Sequence, residues 1–167
     1  MSLEIKRHIV AQDWMRAPQA ERLFSILQGN IPEDEPQALF VGGCVRNILM
    51  GQDVEDLDIA TPLHPENVVE ILERDGIKVI PTGLQHGTVT AVVDGETYEI
   101  TTLRHDTETD GRHAVVTFTD SWLEDAKRRD FTMNTLLLDR TGNVYDPLDS
   151  GLSDLDARKV RFVGEAA

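Results

Sequence analysis

Apolar positions change their spacing several times along this chain, and each change marks an element. Ala20, Leu23, Phe24 and Leu27 fall at i, i+3, i+4 and i+7, which predicts an amphipathic helix ending near Gly29. A polar, proline-containing stretch from Asn30 to Pro36 follows. The apolar run Ala38 to Val41 then predicts a buried strand, broken by Gly42-Gly43. Cys44 to Met50 reads as a short helix closed by Gly51. Leu57 and Ile59 alternate with Asp56 and Asp58, the period of a half-buried strand whose two acids share one side. Pro65 opens a helix with Val68, Ile71 and Leu72 on one stripe, stopped by Gly76. A short strand is expected over Ile77 to Ile80.

The clearest local signal is a hairpin. Thr88 to Val93 and Glu96 to Thr102 flank Asp94-Gly95, the dipeptide favoured by a two-residue turn. In the second strand Tyr98, Ile100 and Thr102 share one face, leaving Thr97, Glu99 and Thr101 on the other. Arg104 to His113 is polar and contains glycine, so a mobile loop is expected there. Ser121 and Glu124 have capping-box spacing and start a helix running to about Arg129. Thr135 to Leu138 and Val144-Tyr145 flank Thr141-Gly142 and suggest a further hairpin. Short hairpin strands mixed with helices indicate an α+β (mixed α/β) fold rather than a regular parallel βαβ array.

Composition narrows the function classes. The 167 residues form one domain at a rule-of-thumb length of ~150 residues per domain, and 40% hydrophobic content excludes a disordered chain. Sixteen basic against thirty acidic residues leave a net charge of −14. Such a chain repels nucleic acid over most of its surface, so any polyanion must be handled at a local basic site or through bound cations. No apolar run approaches a membrane span, and the N-terminus lacks the apolar core of a signal peptide. The single cysteine, Cys44, rules out an internal disulfide and a cysteine-rich zinc site, so a reducing cytoplasm is the expected compartment.

Three segments could carry chemistry. Asp53, Glu55, Asp56 and Asp58 crowd one stretch, and two carboxylates ~4.5 Å apart repel by roughly 3–4 kcal/mol at an effective dielectric of 20. A pair of this kind sits in open water, takes up a proton or holds a cation, and Mg²⁺ commonly uses one or two carboxylates plus substrate phosphates. Glu99 could complete a three-carboxylate cluster. Taken singly, D-x-D is more often a solvated strand end. Second, Gly42 and Gly43 let backbone N–H groups approach a phosphate, with Arg46 as a forked cation; the plain alternative is a tight turn. Third, Lys127, Arg128 and Arg129 precede Asp130 and Asn134, which could bond a sugar hydroxyl or base edge. Cations closing a helix would look the same.

Rival chemistries lack their patterns. His8, His64, His86, His105 and His113 contain no H-E-x-x-H, and the adjacent His105-Asp106 lacks helical partner ligands. The run from Asp53 lacks the glycine and downstream glutamate of an EF-hand loop. Neither a G-x-G-x-x-G nor a G-x-x-x-x-G-K-[ST] motif occurs. Trp14 and Trp122 read as packing residues.

In order, LFVGGCVRNILMGQDVEDLDIAT, YEITTLR and KRRDFTMNTL resemble three motifs of the head (catalytic) domain of the tRNA nucleotidyltransferase (CCA-adding enzyme) and bacterial poly(A) polymerase family, within the polymerase-β-like nucleotidyltransferase superfamily. GLQHGTVTAVVDGETYEI and YDPLDSGLSDLDARKVRFVG are similar to the family's connecting segments. The resemblance spans 38–164 and leaves 1–37 as an N-terminal helix and linker. It departs at Asn47, where an aspartate is common, and at Thr135, where alanine is usual. It implies a small, largely antiparallel mixed sheet flanked by helices. It also implies transfer of CMP or AMP from CTP or ATP to the 3′-hydroxyl of tRNA, releasing pyrophosphate. Asp56, Asp58 and Glu99 would be the catalytic carboxylates holding two Mg²⁺ ions. Gly42, Gly43, Arg46, Arg128, Arg129, Asp130 and Asn134 would bind the nucleotide, with Arg104 and Arg112 as possible helpers. The family's neck, body and tail domains, which select the base and grip tRNA, are not expected within this chain. A poly(A) polymerase adding AMP to RNA 3′ ends and a non-catalytic acidic module binding a metal or basic partner remain alternatives.

Overall fold

The computed structural model describes residues 3–108 and 114–164. Its order is β1 (Ile5–His8), α1 (Asp13–Arg16), α2 (Pro18–Gln28), β2 (Leu39–Val41), α3 (Gly43–Leu49), β3 (Asp58–Thr61), α4 (Pro65–Arg74) and β4 (Lys78–Gly83). Then come β5 (Thr88–Val93), β6 (Glu96–Thr102), β7 (Arg104–Glu108), β8 (Ala114–Phe118), α5 (Trp122–Lys127), β9 (Leu137–Leu138), β10 (Asn143–Tyr145) and α6 (Gly151–Asp156). Eight strands form one sheet in the order β1-β10-β9-β2-β3-β6-β5-β4, while β7 and β8 pair separately. Within the large sheet β3 and β6 run parallel, and its other pairings are antiparallel. This is the expected mixed α+β architecture.

Strand alternation divides the sheet into two environments. Phe40, Ile59, Tyr98, Ile100, Leu138 and Val144 face one side, where they bury against Met15, Leu23 and Leu27 of α1 and α2, Val45 of α3, and Val68 and Leu72 of α4. Their alternate neighbours Leu39, Val41, Ala60, Leu137 and Tyr145 form a smaller cluster with Leu103, covered by Leu3 and Trp122. Helices α1 to α4 and α6 therefore pack on one face, while α5 lays Trp122 against the other. That second face stays open toward β3, β6 and β5, which is where a ligand can enter.

Local chemistry explains the elements that match expectation. Asp94 and Gly95 take φ of 48° and 85°, the left-handed pair that a hairpin turn of this hand requires. Ser121 caps α5 by accepting a hydrogen bond from Glu124 N at 3.2 Å. Trp14 packs edge-on against Phe40, with ring centroids 4.9 Å apart. Two expectations change. The segment from Arg104 is not a loop throughout: Arg104 to Glu108 is strand β7, registered against β8. The polar sequence hides it, because its order comes from backbone pairing with β8, which begins six positions on, rather than from an apolar face. Arg112 and His113 lie outside the described residues. Residues ahead of Ala38 also add more than a helix: β1 pairs with β10, and α2 fills the core.

Candidate functional site

The parallel register of β3 and β6 sets Asp58 directly beside Glu99. Residues of like parity continue the same face, so Thr97 and Thr90 join them, and Asp56 arrives from the segment entering β3. Glu55, Asp56, Leu57, Asp58, Thr90, Thr97 and Glu99 line a cleft of about 340 Å³. Behind Asp58, β2 ends at Gly42, whose φ of +80° suits only glycine comfortably, and a Cβ there would lie 3.8 Å from Asp58 Oδ2. The glycine turn thus delivers the α3 backbone against the acid pair. Cys44 is buried in the same joint, its Sγ 3.4 Å from the Val41 carbonyl oxygen. Burial pushes its thiol up to about 11, so it is a packing group, not a nucleophile.

The acids are under electrostatic load. Asp58 is raised to about 6, first by burial, then by a hydrogen bond with and the charge of Glu99, and by the charge of Asp56; Arg129 pulls weakly the other way. A carboxyl pair that must share a proton is a place where a cation can replace that proton. Among the described residues, no group of three or more His, Cys, Asp or Glu side chains is placed so that it could hold a metal ion by itself. The donor set is hard oxygen, and its excess negative charge fits a divalent ion of the Mg²⁺ class held jointly with substrate oxygens.

The cationic side of the site is assembled from two segments. Arg46 of α3 donates Nη1 to Asn134 Oδ1 at 3.1 Å and Nε to Asn47 Oδ1 at 3.2 Å. Asn134 in turn donates Nδ2 to Asp130 Oδ1 at 3.1 Å, a bond that holds Asp130 below the usual carboxylate range. Asn47 donates to the Asp53 carbonyl, tying Arg46 to the loop that leads to Asp56. So Arg46, Asp130 and Asn134 meet in one network, although Arg46 and Asn134 are 88 positions apart. Arg128 and Arg129 instead turn toward Asp125. Of this pair, Arg129 is the one whose charge reaches Asp58.

Two supports were not singled out in the sequence. Asp125 is 3% exposed and engages both arginines; its spacing of three and four residues before them, across the end of α5, is a readable signal. Beneath the segment 130–134, Asp154 of α6 accepts from Thr132 Oγ1 at 2.6 Å. Gly151 lies so close that a Cβ would be 2.7 Å from the Thr132 carbonyl oxygen and 2.9 Å from Leu136 Cδ2. Only glycine fits that contact.

Comparison with known proteins bears on the family and the fold. A family model described as the poly(A) polymerase head domain matches residues 38–161. The mitochondrial CCA tRNA nucleotidyltransferase 1 of Danio rerio is 47% identical over 127 residues, covering 75% of this chain and 29% of that protein. The human counterpart is 40% identical over 157 residues, covering 91% and 36%. The CCA-adding enzyme of Lactobacillus johnsonii is 45% identical over 132 residues, covering 78% and 32%. Among solved structures, the Bacillus stearothermophilus CCA-adding enzyme in complex with CTP superposes with a TM-score of 0.71 at 40% identity, covering 88% of this chain and 33% of that one. The chain therefore spans about a third of the length of the relatives it matches.

Proposed function

This chain belongs to the poly(A) polymerase head-domain family, and from that membership and the acidic cleft we propose that it is the catalytic head of a tRNA nucleotidyltransferase. The reaction is transfer of CMP and AMP from CTP and ATP to the 3′-hydroxyl of tRNA, with release of pyrophosphate. CCA addition is favoured over poly(A) synthesis because the matched relatives are named CCA-adding enzymes or CCA tRNA nucleotidyltransferases. The boundaries we assign are 38–164 for the head and 1–37 for the N-terminal segment, whose described part packs onto it.

The observation that carries the reading is Asp58 set beside Glu99 with Asp56 at the same cleft. Asp56, Asp58 and Glu99 would hold two Mg²⁺ ions, which supply Lewis acidity for the attacking hydroxyl and for the departing pyrophosphate. A triphosphate with about four negative charges is otherwise repelled by this cleft. Gly42 brings backbone close to Asp58, Gly43 lies against the Arg46 guanidinium, and Arg46, held by Asn134 and Asn47, presents a planar cation for a phosphate oxygen. Arg128 and Arg129 add positive charge, and Asp130 and Asn134 offer acceptor and donor groups for a ribose. The cytoplasmic reading is supported by a lone buried thiol that asks nothing of an oxidising compartment. Among the described residues no helix is long and apolar enough to cross a membrane.

The test is thermal unfolding of the chain with CTP and Mg²⁺. At a hundredfold excess over Kd, binding raises stability by about 2.7 kcal/mol, a shift of about 5–10 °C for a domain of this size. CTP without Mg²⁺ shifts the transition far less. A folded chain whose transition does not move with both present contradicts the assignment.

A further inference from the structure

The carboxylate of Asp125 is buried and gathers four N–H donors. Its Oδ1 accepts from the Arg104 backbone N at 3.0 Å and from Arg128 Nε at 3.1 Å. Its Oδ2 accepts from Arg129 Nε at 3.2 Å and from Arg129 Nη2 at 3.0 Å. Two places in the fold thus converge on one side chain of α5: the start of β7, and the arginine pair leading into the segment 130–134. Two adjacent guanidinium groups repel each other, and a single buried carboxylate between them lets both be held at once. The pair and its anchor still carry net positive charge, and Arg129 is close enough to Asp58 for its charge to be felt there.

We infer that Asp125 is a positioning residue: it touches no substrate, but it fixes Arg128 and Arg129 in the pose that receives the nucleotide's phosphates. Holding the guanidinium groups through Nε on Arg128, and through Nε and one Nη on Arg129, aims the rest of each fork away from the anchor. The arginine side chains are otherwise long and rotamer-rich, so without the anchor their ordering would have to be met from the binding energy itself. The hydrogen bond from Arg104 N also makes the base of β7 part of the same clamp. This inference rests on the proposed nucleotide site, which it deepens.

The test is a double-mutant cycle on the chain, reading the Kd of Mg²⁺–CTP by calorimetry and Tm separately. Asp125→Asn keeps the shape and removes the charge. Its expected result is binding weakened about tenfold or more. In a chain already carrying Arg128→Ala and Arg129→Ala, the same change costs nothing further, because Asp125 acts only through them. Should Asp125→Asn fail to fold, Asp125→Glu retains the charge with a displaced carboxylate, and the same loss and the same non-additivity are expected. A lowered Tm with Kd unchanged, or an equal loss of affinity in both backgrounds, overturns the inference. If the unaltered chain does not bind Mg²⁺–CTP, the nucleotide site itself has failed, a different result from a variant that binds as well as the parent.

Discussion

Asp58→Asn is expected to abolish Mg²⁺-dependent CTP binding without lowering the stability of the metal-free chain. The two effects have one origin. Burial first, and then the hydrogen bond with and charge of the adjacent Glu99 and the charge of Asp56, hold the Asp58 carboxyl up at about 6. Near neutral pH the ionised acid is therefore a liability to the fold, and an amide of the same shape relieves it. The same charge is what a cation needs, so its removal should weaken binding by more than the roughly 10–100-fold that loss of an outer-shell metal partner costs. Measured side by side, the variant's Tm in the absence of Mg²⁺ stays at or above that of the parent, and the Mg²⁺–CTP shift disappears. A variant that binds normally would remove Asp58 from the metal assignment. Such opposition between stability and binding is common where a site stores unfavourable charge.

Acidification is expected to separate these two roles of the same acid. Because folding raises the Asp58 pKa, the protonated form stabilises the fold; this contribution is complete below the ordinary carboxylate pKa and is lost as pH rises through about 6. Cation binding has the opposite sign, since the cation must displace that proton. Between pH 7.5 and 5 the ionised fraction of Asp58 falls about tenfold, so Mn²⁺ affinity should fall by about the same factor. Using the cation alone keeps the nucleotide's own phosphates out of the titration. Asp130 and Asp156, whose pKa values are lowered, respond at more acidic pH and do not confuse this window. Equal Mn²⁺ affinity at both pH values would show that the ion binds elsewhere.

Much of the site was legible because its local pieces carry strong signals. Asp94-Gly95 specifies the hairpin that contains Glu99, and strand alternation places Glu99 opposite the buried Tyr98 and Ile100. The D-x-D spacing puts Asp56 and Asp58 toward one cleft. What periodicity does not supply is which strands are neighbours. The parallel pairing of β3 with β6 and the bond from Arg46 to Asn134 join segments far apart in sequence, so only the ordered motifs hinted at them. The N-terminal strand was missed because Ile5–His8 is an exposed edge with little alternation. β7 was missed because its sequence, RHDTE, is polar throughout. α6 was missed because it is short and begins with glycine, a residue chosen there for its fit against Thr132 rather than for helix formation. Asp125 could have been noticed from its helical spacing to Arg128 and Arg129, but its burial, which gives the contact its value, comes from tertiary packing.

The most direct measurement is a calorimetric titration of CTP into the chain, once with Mg²⁺ and once with the divalent ions chelated. Binding that is saturable with Mg²⁺ and at least about 100-fold weaker without it is the predicted result. The same affinity in both titrations would mean that the oxygens of Asp56, Asp58 and Glu99 are not recruiting a counter-charge for the triphosphate.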